Sequence, residues 1–114
     1  MRATRPVSWL TPARKAFEEF PEGAREICID ALSVAAEGGK SAIAKPMKGV
    51  GSGVFEIALP YRGNAFRVVY AVQIGEELWV IHAFQKKSTH AIKTPKHEIH
   101  LIKDRLKRLK EMLR

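Results

Sequence analysis

The side chains whose types suit work on a phosphate are Arg67, Lys86 and Lys87, the loop lysines, Tyr61 and Tyr70, and the histidines, His82 among them. Arg67 interrupts an otherwise apolar run, Ala65-Phe66-Arg67-Val68-Val69-Tyr70. An arginine there needs a partner, or a sheet surface facing a groove. Two compatible readings stand: a cross-strand pair with Glu56 and a contact with an anion. His82 lies within the apolar run Leu78 to Phe84, where a histidine is more often a satisfied core residue than a catalyst, and Lys86 and Lys87 follow where that run ends. Lysines at the exit of an anchored strand are held near a fixed place. Fixed cations beside a phenol and an imidazole suit RNA cleavage by its own 2′-hydroxyl. That reaction wants a base at the hydroxyl, an acid at the leaving 5′-oxygen and cations for the charge growing on the phosphate.

Other chemistries find less in the sequence. His97 and His100 stand at i, i+3 but have no well-spaced third ligand, so no metal site is expected. No two carboxylates show a catalytic spacing, and no cofactor is implied. Gly39-Lys40-Ser41 matches the end of a phosphate-binding P-loop, but the upstream glycine is missing and no strand precedes it. Cys28 falls in an apolar stripe without a cationic neighbour and reads as a small buried hydrophobe.

The 114 residues suit one domain, 1–114, and 46% hydrophobic content is enough for a packed core. A single cysteine excludes an internal disulfide framework. No apolar run approaches the roughly 20 residues of a membrane span, and the basic N-terminus has no signal-like stretch behind it. The expectation is a cytoplasmic protein with no membrane partner. The formal net charge of +8 points to a polyanion. The cations cluster: Lys45 and Lys48 in a glycine-rich loop, Arg62 in a turn, Lys93 and Lys96 around Thr94-Pro95. These five are the expected contacts to an RNA backbone, although loop lysines are also ordinary solvated groups.

Positioning these groups requires a sheet and helices. Val7-Ser8-Trp9-Leu10 behind Pro6 reads as a short edge strand. Thr11-Pro12 and Thr94-Pro95 both read as an N-cap followed by proline at the first helical position. The first opens a helix broken at Phe20-Pro21. A second helix follows from about Glu22, with Ala24, Ile27, Cys28, Ala31, Leu32 and Ala35 as its apolar stripe. Gly38-Gly39 stops it. In residues 54–61, Phe55, Ile57, Leu59 and Tyr61 share one parity. In residues 65–73, Phe66, Val68, Tyr70 and Val72 share one face, with Arg67, Ala65, Val69 and Ala71 on the other. Leu78–Phe84 is apolar on both faces and so interior to the sheet. Tight turns at Arg62-Gly63-Asn64 and Gly75-Glu76-Glu77 make an antiparallel meander. Ile99, Ile102, Leu106, Leu109 and Leu113 form the seam of a long basic C-terminal helix, which packs on the core or docks a partner. The fold class is α+β: an N-terminal helical hairpin on a small twisted antiparallel sheet, followed by that helix.

Four stretches carry a resemblance: Gly49-Val50-Gly51-Ser52-Gly53-Val54-Phe55-Glu56-Ile57, Phe66-Arg67-Val68-Val69-Tyr70, His82-Ala83-Phe84-Gln85-Lys86-Lys87-Ser88, and Lys93-Thr94-Pro95-Lys96 with Glu98-Ile99. In this order they resemble the phage-derived, HigB-like branch of the RelE/ParE toxin superfamily, over the last two thirds of the chain. The resemblance implies a toxin of a toxin–antitoxin pair that enters the ribosomal A site and cuts messenger RNA. It implies a small helix-turn-helix antitoxin as partner. It places the active residues on the concave sheet face, most naturally Arg67 and Lys86, then Lys87, Tyr70 and His82. Many relatives carry an arginine two places after the strand glutamate; here that position is Ala58. The superfamily also contains gyrase poisons and inactive relatives, so a gyrase-directed toxin or a non-catalytic nucleic-acid-binding module is the alternative.

Overall fold

The computed structural model describes residues 4–86 and 94–113. Along them run β1 (Val7–Trp9), α1 (Thr11–Glu18), α2 (Glu22–Ala36), β2 (Ala44–Pro46), β3 (Val54–Tyr61), β4 (Asn64–Ile74), β5 (Glu77–Lys86) and α3 (Lys96–Met112). The expected meander is present. Two-residue turns join its strands, with positive φ at Arg62 and Gly63 in the first and at Gly75 in the second. Positive φ at both central residues matches the twist of the flanking strands.

The sheet has five strands in the order β1-β5-β4-β3-β2. Two features correct the expectation. Residues 38–53 contain a strand, β2, paired antiparallel with β3. The edge strand β1 runs parallel to β5, so the sheet is mixed. The physical reason is the connection: the chain leaves β1, crosses one face as α1 and α2, starts again at the far edge, and returns by three antiparallel steps.

Helices cover both faces. Ile57, Leu59, Phe66, Val68, Tyr70, Leu78 and Val80 meet Phe17 of α1, Cys28 and Leu32 of α2, and Phe20 between the two helices. Rings run through this layer from Trp9 to Phe17, Phe20 and Phe66, at centroid spacings of 4.9, 5.3 and 4.8 Å. On the other face Val54, Val69, Ala71 and Ile81 meet Ile102, Leu106 and Leu109 of α3. At the end of the predicted seam Leu113 is exposed. Neither Thr-Pro pair caps as expected: Leu10 and Pro95 are the N-cap residues, and neither helix has a side-chain cap.

Candidate functional site

Cross-strand register decides which side chains share a face, because directly opposed residues point the same way. Three rows lie on the α3 side. Lys45, Glu56, Val69 and His82 form one; Ala58, Arg67 and Phe84 the next; Pro60, Ala65 and Lys86 the third. Arg67 and Lys86 therefore occupy neighbouring rows of one face.

Glu56 and Arg67 are both buried, with 4% and 6% of their surface exposed. They pair through Arg67 Nη1 to Glu56 Oε1 at 2.7 Å. The other carboxylate oxygen, Oε2, accepts a 2.6 Å bond from the Thr94 hydroxyl. Beside this network a groove of about 520 Å³ opens, lined by Lys45, Met47, Lys48, Glu56, Thr94 and Ile99. Lys45 and Lys48 are exposed on its rim. Lys86, half-buried, ends β5 on the same face.

His82 is buried and engaged. Its Nδ1 lies 2.8 Å from Arg105 Nη1. A guanidinium only donates, so Nδ1 accepts and the ring proton sits on Nε2. Nε2 is 3.3 Å from Glu98 Oε1, near enough for attraction but not aligned as a hydrogen bond. Burial, reinforced by Arg105, outweighs the pull of Glu98 and holds the imidazole below its ordinary pKa. A register shift between Val69 and Tyr70 inserts Ile81 as an extra residue. Arg105 takes the Ile81 carbonyl at 3.0 Å as well as His82. His82 thus fastens α3 to β5 and is closed to a reacting oxygen.

Tyr70 requires a correction. It packs among the α1 and α2 contacts, stacked on Phe55 at 5.5 Å and 1% exposed. It points away from Arg67, and burial pushes its phenol up to about 12. Arg62 is set apart too: its guanidinium lies 5.3 Å from the centroid of the Tyr61 ring, which packs on the α1 and α2 side. Lys96 is exposed at the start of α3. Lys87 and Lys93 lie outside the described residues. Burial pushes the Cys28 thiol up to about 11, away from a nucleophile. Among the described residues no three His, Cys, Asp or Glu side chains gather as a metal site, and no helix is long and apolar enough to cross a membrane.

The sequence reading missed Arg105 and Thr94. Arg105 is one cation among many on α3, and nothing local marks it as half-buried against β5. Thr94 carried a strong local signal for another role, the cap.

A family model described as phage-derived protein Gp49-like (DUF891) matches residues 15–107. No curated protein matches the chain. Among solved structures, a mutant of the Escherichia coli toxin RelE in the free state superposes with a TM-score of 0.60 at 18% identity, covering 93% of this chain and 98% of that one. The toxin–antitoxin complex RelBE2 from Mycobacterium tuberculosis gives 0.53 at 15% identity, covering 77% and 98%. Identities this low establish likeness of fold.

Proposed function

The chain belongs to the phage-derived Gp49-like family, and on that premise we propose that it is the toxin of a toxin–antitoxin pair and a ribosome-dependent messenger RNA endonuclease. The observation that carries the reading is the shared face of Arg67 and Lys86, with Lys45 and Lys48 on the rim beside it. In this reaction the 2′-oxygen attacks the adjacent phosphorus and the bond to the 5′-oxygen breaks. The products are a 2′,3′-cyclic phosphate and a 5′-hydroxyl, with one proton leaving the nucleophile and one reaching the leaving oxygen. Arg67 and Lys86 would stabilise the phosphorane-like charge, and Lys45 and Lys48 would hold the flanking backbone. Lys86 is the proton carrier we favour, because His82 and Tyr70 are enclosed. Arg67 is sealed in the isolated chain, so its contact with phosphate requires the groups above it to part when RNA arrives. The fold's solved relatives include a toxin bound to an antitoxin, which supports an antitoxin partner here; we infer one of the helix-turn-helix class.

A second reading has an observation of its own. Burial of Arg67 against Glu56 is what a purely structural pair would show, and it favours a non-catalytic or gyrase-directed toxin. Inducing the chain alone in a bacterium and sequencing RNA 5′ ends decides between them. Cuts confined to translated messages, reduced on the order of 10²-fold by Lys86→Ala, support the nuclease. DNA damage without RNA cuts supports gyrase, and binding without either supports the non-catalytic module.

A further inference from the structure

We propose that Thr94 is a positioning residue for Arg67, acting through the far oxygen of Glu56; the proposal rests on the nuclease reading for its effect on rate. A threonine before proline at the head of a helix is ordinarily its N-cap, the hydroxyl oxygen accepting from a backbone N–H of the first turn. In α3 it does not: the helix has no side-chain cap. The hydroxyl donates instead to Glu56 Oε2 at 2.6 Å, across 38 residues of sequence. The helix forgoes a stabilising cap, and a buried carboxylate gains a second donor.

The consequence is geometric. An arginine and a carboxylate left to themselves favour a fork in which two N–H groups meet both oxygens. Here Oε1 takes Arg67 at 2.7 Å and Oε2 takes Thr94. With Oε2 claimed, the carboxylate is restrained in rotation, and the oxygen it presents to Arg67 is Oε1. Removing the hydroxyl leaves Oε2 buried and short of a donor. Oε2 then competes for a guanidinium N–H, the Nε–H of Arg67 included, and the guanidinium shifts relative to the face it shares with Lys86. The same bond ties the head of α3 to β3, in step with the Glu98–His82 contact one turn later.

The test compares Thr94→Val, which keeps shape and loses the hydroxyl, with Thr94→Ser, which keeps the hydroxyl. On translating ribosomes Thr94→Val should lower kcat by about tenfold or more, since small misplacements of a catalytic group cost that much. KM should stay within about twofold of the parent, and Thr94→Ser should restore kcat. The Arg67 side-chain Nε–Hε resonance, assigned by its loss in Arg67→Lys, should shift in Thr94→Val and stay in place in Thr94→Ser. If Thr94→Val does not fold, Thr94→Ala takes its place with the same expectation. A parental kcat in the hydroxyl-free variant, an unmoved resonance, or a serine variant behaving like valine would overturn the proposal. A parent chain that cuts no RNA would instead refute the nuclease reading, and the resonance would still decide whether Thr94 orients Arg67.

Discussion

At the scale of single residues, Gly23 is the glycine with the least room for a side chain. A Cβ built there would overlap the Tyr61 hydroxyl oxygen and lie 3.0 Å from the ring carbon that bears it. The Tyr61 ring cannot swing freely, because its edge rests on Phe66 at 6.2 Å. Gly23→Ala should therefore destabilise the protein by about 1–3 kcal/mol, the usual cost of overpacking. At this size that lowers Tm by roughly 4 °C per kcal/mol. Tyr61→Phe added to Gly23→Ala should recover part of the loss in thermal melts; no recovery would place the strain elsewhere. Residue-scale chemistry was only half legible in the sequence. The Arg67–Glu56 pair followed from adjacent strands of a short hairpin. Tyr70 was separated from Arg67 by the alternation itself, which set it with Phe66 and Val68; its residue type and the family likeness nevertheless kept it among the candidates. Arg105 and Thr94 act on partners 23 and 38 residues away, and no local pattern encodes such distances.

At the scale of elements, α3 is held by an apolar seam and a polar latch. Ile102, Leu106 and Leu109 supply the seam; His82, Arg105 and Glu98 supply the latch, with exposed His97 3.7 Å from Glu98. The latch makes stability depend on pH, and its sign follows from the lowered His82 pKa. The folded imidazole takes a proton less readily than the unfolded one, so protonation favours unfolding. The stabilisation is complete above the ordinary histidine value near 6.5 and declines as pH falls from there through the folded value. The urea midpoint should thus be lower at pH 5.5 than at pH 7.5, and the difference should shrink in His82→Gln. An equal difference in parent and variant would remove His82 from the latch. Elements with long periodic stretches, α2, β3, β4, β5 and α3, were readable because the period is a physical consequence of burying one side. The three-residue β2 offered too short a run, and proline within it hid it further. The parallel direction of β1 was invisible because it depends on where the chain returns.

At the scale of the whole molecule, a formal charge of +8 on 114 residues is an association device more than a fold determinant. What the sequence could not show is how the charge is distributed in depth. Arg67 is buried against Glu56, and Arg105, half-buried, is engaged by His82 and the Ile81 carbonyl. Lys45, Lys48 and Lys96 stand in solvent. Only the exposed set can release counterions when RNA binds, so these two classes should separate in a salt titration. For single-stranded RNA each neutralised phosphate contributes about −0.7 to the slope of log K against log salt concentration. Lys45→Ala with Lys48→Ala should make the slope shallower by about 1.4 and weaken binding similarly across RNA sequences. Lys103→Ala with Lys107→Ala, on the exposed side of α3, removes the same formal charge and should leave the slope nearly unchanged. Equal changes in both double variants would mean that RNA responds to net charge alone, and that the groove beside Glu56 does not set where the backbone lies.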